Sequence, residues 1–329
     1  GTREQYRHQG LVREINKAYD ERAEEIKPVL QAVAGIPYFY RELDYEYAVP
    51  MESGFYIASS LIPNLPEGRN ETISIRKTDS TSFPEWLDFR KNHLPRRTWL
   101  KGLGEEDFDY HSFDECKPRN EAFTFCLVED SGEVVGVFYY MWSEEDYLEV
   151  GELYLLDCKY ADGVLRHLKK LAASLGDVPF EIRPPNQPDL YEYLKARSRS
   201  APVGAYMWYV KIPSISRFLL TIKEHIHERL QHTEFDRYSG ALTLTNYKEG
   251  FSLQFEDGHL VDIQSDSSKD YEEYYDLRLP KGPLTKLLMG CSTFDELKQY
   301  DPDVACKSVK RPLVRALFPK LKASIDPFY

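Results

Sequence analysis

Arg7-His8-Gln9-Gly10-Leu11-Val12, the helical pattern behind it, and Pro37-Tyr38-Phe39-Tyr40-Arg41-Glu42-Leu43-Asp44-Tyr45-Glu46-Tyr47 decide the fold. An Arg, two spacers, a Gly and a short gap bring free backbone N–H groups and a helix N-terminus together, which suits a pyrophosphate. Gly10 lets the backbone approach an anion closely, and Arg7 adds charge. Taken alone, Arg-x-x-Gly-x-Val also describes an ordinary helix start. Leu11, Ile15, Ala18, Tyr19, Arg22 and Ile26 then define a helix with one apolar stripe, and Pro28 marks its end. Val29 to Ile36 reads as a buried strand closed by Pro37. The phenols that follow stand where a proton could be handled beside whatever the loop holds.

Working outward, Phe55 to Ile62 predicts another short strand, and Pro63, Pro66, Gly68 and Asn70 form a linker of breakers. Thr72 to Arg76 alternates as a strand, and Phe83 to Lys91 reads as a helix. The runs from Phe123 to Val128 and from Val134 to Tyr140 flank Glu129-Asp130-Ser131-Gly132-Glu133 and predict a β-hairpin. A strand over Glu149 to Leu156 and a helix over Gly163 to Ala173 follow. The turn between them, Cys158-Lys159-Tyr160-Ala161-Asp162-Gly163, has one Gly, and Asp162 would repel an anion at the helix N-terminus. Beyond Met207, the stripe Phe218, Leu219, Ile222, Ile226 and Leu230 predicts an amphipathic helix. Strands at 240–245, 251–255 and 259–264 follow it, then a short helix closed by Gly290. Thr293 with Glu296 three residues on is a capping box.

At 329 residues the chain is long enough for two or three domains with real cores. A net charge of −12 argues against a broad nucleic-acid surface and is compatible with a cationic substrate. No apolar run approaches a membrane span, so no membrane partner is expected. The five cysteines are odd in number and lack Cys-x-x-Cys spacing, which fits reduced thiols and a cytoplasmic location. No His/Cys pair has ligand spacing, so no metal site is expected.

The order of loop, helix, strand and Phe39-Tyr40-Arg41-x-x-x-Tyr45 resembles the GCN5-related N-acetyltransferases. The run Gly35 to Arg41, followed by Tyr45-Glu46-Tyr47-Ala48, is similar to their multidomain Eis-like (enhanced intracellular survival) branch. The resemblance implies an α+β fold of mixed sheets with tandem acetyltransferase-like units. The first, 1–66, would be N-terminally incomplete, the second, 67–206, a silent copy, and 207–329 a sterol-carrier-protein-2-like α+β domain. It implies that Arg7, His8, Gln9, Gly10, Leu11 and Val12 hold the pyrophosphate of acetyl-CoA as co-substrate, and that Tyr40 is the general acid near the sulfur. The base it implies is the main-chain carboxylate of Tyr329. Two positions depart from the pattern: Val12 replaces a small residue, and Asp44 stands where a Gly is usual.

The activity implied is transfer of an acetyl group to a primary amine of a small-molecule or peptide substrate, in a symmetric homo-oligomer. A second reading is a non-catalytic protein that binds a hydrophobic ligand or serves as a scaffold, its acetyltransferase units being relics. A third is a subunit of a split assembly, because residues 31–36 would otherwise be an orphan strand with unpaired backbone groups.

Overall fold

The structure, a computed structural model, describes residues 3–51, 54–93, 124–142, 147–183, 187–198, 206–266 and 271–321. It opens with helix α1 (Leu11–Ile26), strand β1 (Gln31–Val33), a 3-10 turn (Phe39–Leu43) and strand β2 (Glu46–Met51). Strands β3 (Phe55–Ile57) and β4 (Ile73–Lys77) precede α2 (Phe83–His93), and β5 (Thr124–Asp130), β6 (Glu133–Trp142) and β7 (Leu148–Leu155) follow it. Next come α3 (Ala161–Ser174), β8 (Phe180–Ile182), α4 (Pro188–Lys195) and β9 (Tyr206–Lys211). The last stretch opens with α5 (Ile215–Thr221), α6 (Lys223–Leu230), β10 (Gly240–Thr245), β11 (Gly250–Glu256) and β12 (His259–Asp266). It closes with α7 (Tyr271–Tyr274), β13 (Leu277–Arg278), α8 (Lys281–Leu288), α9 (Phe294–Tyr300), β14 (Ala305–Cys306) and α10 (Arg311–Leu317). The class is mixed α+β.

Contacts divide the described residues into two units, one running to Pro50 and resuming at Met207, the other running from Met51 to Tyr206. The first division by contact thus falls ahead of the breakers at 63–70, and the second falls at Met207. Strand pairing accounts for the difference, because β3 hydrogen-bonds to β8.

The unit from Met51 to Tyr206 is built on a six-stranded sheet in the order β3-β8-β7-β6-β5-β4. Its pairs are antiparallel except β7 with β8, which are parallel and joined through α3, since a parallel pair needs a crossover. Both faces are covered, and this explains why β5 and β6 are apolar almost throughout. Phe125, Leu127, Val137 and Tyr139 pack with Phe83, Trp86 and Phe89 of α2. Cys126, Val128, Phe138 and Tyr140 belong to the other core, with Val164, Leu165 and Leu168 of α3. The hairpin turns at Ser131 and Gly132, whose φ of +54° and +89° suit a two-residue turn matched to strand twist. At Gly151 a Cβ would lie 2.1 Å from the Tyr139 ring, so any side chain there would have to displace that buried ring.

The other unit holds a three-stranded sheet, β1-β9-β2, and a five-stranded sheet, β12-β11-β10-β13-β14. The strand predicted over Val29 to Ile36 shrinks to Gln31–Val33 and is not fully buried. Gly35 and Pro37 follow it closely, and β9 pairs antiparallel with it, Gln31 opposite Lys211 and Val33 opposite Tyr209. The backbone partner for residues 31–33 thus comes from later in the same chain. Leu11, Ile15, Tyr19 and Ile26 of α1 are between 41% and 66% exposed, so the stripe read from the sequence lies on the surface of the described residues. The predicted helix over 218–230 is two helices, broken at Ile222. The Thr293–Glu296 capping box is present.

One buried ion pair ties α2 to β7. Arg90 donates from Nε and Nη2 to the Glu152 carboxylate at 2.6 and 2.9 Å, and the two side chains are 12% and 4% exposed. Removing one member of such a pair costs about 3 kcal/mol. Glu152→Ala is expected to lower the unfolding free energy by about that amount in urea titration, while an exposed pair such as Arg22–Glu25 is expected to contribute less than about 1 kcal/mol.

Candidate active site

Gly10 is the N-cap of α1, with φ +77° and ψ 5°. Nothing lies within 4 Å of a Cβ built there, so the left-handed backbone rather than lack of space calls for Gly. Its carbonyl accepts from the amides of Arg13 and Glu14 at 2.9 and 3.2 Å. No side chain caps the helix. Among the described residues the amides of Leu11 and Val12 have no acceptor, as expected for the first turn of an uncapped helix. His8 also has a positive φ, +64°. The Arg7 amide donates to the Glu4 carbonyl at 3.1 Å, and the Gln9 carboxamide donates to the Gln5 carbonyl at 3.3 Å. Arg7, His8, Gln9, Gly10 and Leu11 are exposed, and Val12 is half-buried. Arg7 precedes this end of the helix, and Arg13 and Glu14 lie in its first turn.

Tyr40 lies in the 3-10 turn and is half-buried. An ion pair of 3.8 Å between Arg13 and Glu42 joins the first turn of α1 to the turn that carries it. A Cβ on Gly35 would lie 2.1 Å from the Tyr40 ring, so the ring rests on glycine backbone. Phe39 meets that ring edge-on at 5.3 Å, and Tyr209 of β9 lies 5.4 Å away. The turn closes by donation from the Tyr45 amide to the Tyr40 carbonyl at 3.1 Å. Asp44 adopts φ +71°, the conformation a Gly would supply. Asp tolerates it, and Lys281 approaches its carboxylate at 3.0 Å.

The neighbouring phenols are committed elsewhere. Tyr45 is buried and donates its hydroxyl to Gln31 Oε1 at 2.9 Å; burial, with Asp20 nearby, pushes its pKa up to about 12. Tyr209 is buried and donates to the Ile36 carbonyl at 3.2 Å; burial, then the Tyr47 hydroxyl, also pushes it up to about 12. Tyr47 stacks on Tyr209 at 3.9 Å, and the Arg41 guanidinium lies 5.2 Å from the centre of the Tyr47 ring. Arg41 is fixed in turn by two hydrogen bonds to Glu46, of 3.1 and 2.7 Å. The sequence did not point to Tyr209 as part of this cluster, since Met207-Trp208-Tyr209-Val210 reads only as the start of a further unit. Tyr329 lies outside the described residues. Among the described residues no group of three His, Cys, Asp or Glu is placed to hold a metal ion, and no helix is long and apolar enough to cross a membrane.

No family model and no curated protein matches the chain in sequence. Solved structures match it in fold. One is a conserved protein of Enterococcus faecalis V583 described as a probable N-acyltransferase, 13% identical, with a TM-score of 0.62 over 100% of this chain and 80% of that one. A GCN5-related N-acetyltransferase from Anabaena variabilis is 11% identical, with a TM-score of 0.61 over 98% and 78%. Eis1 from Mycobacterium abscessus is 14% identical, with a TM-score of 0.51 over 98% and 78%. The chain therefore shares the fold of GCN5-related N-acetyltransferases.

Two outcomes follow from this geometry. Gly35→Ala forces a methyl group into the Tyr40 ring and is expected to cost about 1–3 kcal/mol, whereas Tyr40→Phe leaves the thermal midpoint nearly unchanged. Tyr45 ionises near pH 10 when unfolded and about 12 when folded, so between those values the unfolded state binds fewer protons. Stability is therefore whole below pH 10 and falls as pH rises toward 12, and Tyr45→Phe is expected to flatten that alkaline slope in denaturant titrations.

Proposed function

We propose that the chain is an acetyl-CoA-dependent N-acetyltransferase acting on a primary amine of a small molecule or peptide. The observation that carries the reading is the start of α1. Gly10 is turned left-handed, the amides of Leu11 and Val12 are unclaimed by the described residues, and the Arg13–Glu42 pair links this end to the Tyr40 turn. An uncapped helix start with a cation beside it is suited to a pyrophosphate, and binding there would serve mainly to orient the thioester. The amine nitrogen attacks the thioester carbonyl, the C–S bond breaks, and the departing thiolate takes a proton from the Tyr40 hydroxyl. A phenol carries its proton at neutral pH and suits a thiolate leaving group. The ammonium proton is assigned to the main-chain carboxylate of Tyr329. The shared fold supports the reading, and the net charge of −12 favours encounter with a cationic acceptor.

The five-stranded sheet with its short helices is read as the sterol-carrier-like part, in a structural role. Leu242, Leu244, Leu253 and Phe255 on its strands and Leu284, Leu287 and Leu313 on its helices are packed to 2% exposure or less, which is how a filled core looks.

Calorimetry with acetyl-CoA and thiol release in the presence of an amine panel test the proposal. Saturable binding is expected, weakened at least about tenfold by Gly10→Val, since a β-branched residue strains at positive φ. Tyr40→Phe is expected to lower turnover by about 100-fold with acetyl-CoA affinity unchanged. Residues appended after Tyr329 should abolish turnover and spare binding. Absence of acetyl-CoA binding by the wild type overturns the proposal.

A further inference from the structure

Strand β13 lies between β10 and β14 in the five-stranded sheet. Leu277 and the following Leu279 are fully buried, while Arg278 between them is half-buried. Strand alternation thus puts the leucines on the core face and the arginine on the other. A charge held in such a place is ordinarily met by a carboxylate or a carbonyl. Arg278 meets neither. Among the described residues its guanidinium makes no ion pair and no hydrogen bond, and its Nη1 is buried. Asp276, two residues earlier on the same face, is committed to the Thr243 amide at 3.1 Å and to Lys307 at 3.4 Å.

The register shows what surrounds the guanidinium. Thr245 of β10 pairs with Arg278 on one side, and Ala305 of β14 pairs with it on the other. Tyr247 comes two residues after Thr245, and Asp303 two residues before Ala305. The Tyr247 hydroxyl donates to the Asp303 carbonyl at 2.5 Å, so this phenol spans the end of the strand that carries Arg278. Burial pushes the Tyr247 pKa up, and the Arg278 guanidinium draws it back, which places the two groups within reach of each other. Tyr271 steadies the span: its hydroxyl donates to the Tyr247 carbonyl at 3.1 Å, and the two rings are 5.6 Å apart. Neither neighbouring hydroxyl is left for Arg278. Tyr247 spends its proton on Asp303, and Thr245 donates to the Glu249 carbonyl at 2.8 Å and accepts from the Tyr247 amide at 3.0 Å. On the β14 side the paired residue offers only a methyl group.

The charges around the phenol select the class of ligand. Parallel N–H groups of a guanidinium match the two oxygens of a planar carboxylate. Of the charges that act on Tyr247, Arg278 is positive and Asp303, Asp301 and Glu272 are negative. Asp301 is itself tied to the Asp303 amide at 2.9 Å, and none of the three pairs with Arg278. A monoanion gains one close contact with the guanidinium. Each further charge on the ligand finds the same acids and the same single partner, so polyanions are disfavoured.

We propose that Arg278, beneath the Tyr247–Asp303 span, is a binding site for a small organic monocarboxylate. The inference does not rest on acetyl transfer, and it stands or falls whether or not acetyl-CoA binds.

The test is an NMR titration of the full chain that follows the Leu279 amide, which is next to Arg278 and donates to the Thr245 carbonyl at 3.1 Å. Propionate is expected to shift this resonance saturably in the millimolar range, while sodium chloride of equal ionic strength does not. Sulfate is expected to bind at least about tenfold more weakly than propionate. Arg278→Gln should abolish the response, and Arg278→Lys, which keeps the charge and loses the fork, should weaken it about tenfold. The comparison of ions on the wild type decides the matter by itself should a variant fail to fold. The proposal is overturned if propionate gives no saturable shift, if chloride reproduces it, if sulfate binds as tightly, or if either variant responds as the wild type does.

Discussion

The backbone of Gln31–Val33 stays in a sheet because Tyr209–Lys211 returns to pair with it. A three-residue strand has too few bonds to hold itself, and its amides and carbonyls need partners in any folded state. The returning strand brings more than hydrogen bonds. Its Lys211 reaches Asp20 of α1 at 2.7 Å, and its Tyr209 fixes the Ile36 carbonyl from 173 residues away. Tyr209 also supplies the surface on which Tyr47 stacks and near which Tyr40 lies. The whole tyrosine turn therefore takes its shape from a strand inserted between β1 and β2. Long-range pairing of this kind carries a loop-closure entropy that a local hairpin does not.

The entries to α1 and α3 differ in what the chain itself places there. At α1 the entry is Gly10 in a left-handed conformation, with no capping side chain. Ahead of α3, Asp157 caps the 3-10 turn Cys158–Tyr160 by accepting from the Lys159 amide; α3 itself, with Tyr160 as N-cap, also has no capping side chain, and Asp162 lies in its first turn. A helix N-terminus carries partial positive charge wherever it occurs. What differs is the turn ahead of the helix. Asp157 takes an amide of the turn before α3, and Gln187 takes the amide and the carbonyl of Leu155 on a strand of the same unit. At α1 the described residues leave the helix start unsatisfied.

Much of the unit from Met51 to Tyr206 was legible in the sequence because its signals are local. Ser131-Gly132 between two apolar runs and the helical run from Gly163 to Ala173 each state their structure within a dozen residues. Thr293 and Glu296 do the same further on. What was not legible depends on pairing over distance. Met207 to Val210 has the pattern of any buried strand, and nothing in it says that it lies between β1 and β2. Val29 to Ile36 looked like a full strand because apolar content was read without its partner, which engages only three residues. Asp44 looked like a fault in the turn because Gly is the usual answer to a positive φ. Its compensation, Lys281, is far away in sequence. Gln187 gave no signal at all, since an N-cap glutamine announces neither its reach nor its target.

Among 24 tyrosines, composition offers no reason to prefer one as an acid. Hydrogen bonding does. An acid must release its proton to substrate, and a phenol already donating to a fixed acceptor must first break that bond. Tyr45 donates to Gln31 and Tyr209 to the Ile36 carbonyl, and burial raises the pKa of both, which makes each a poorer donor to anything else. Tyr40 differs in the way it is held. Its position is set through ring contacts with Gly35, Phe39 and Tyr209 and through its main-chain carbonyl, not through its hydroxyl. Fixing a side chain by its ring leaves the polar end for chemistry, and that is the structural ground on which the acid role is proposed for Tyr40.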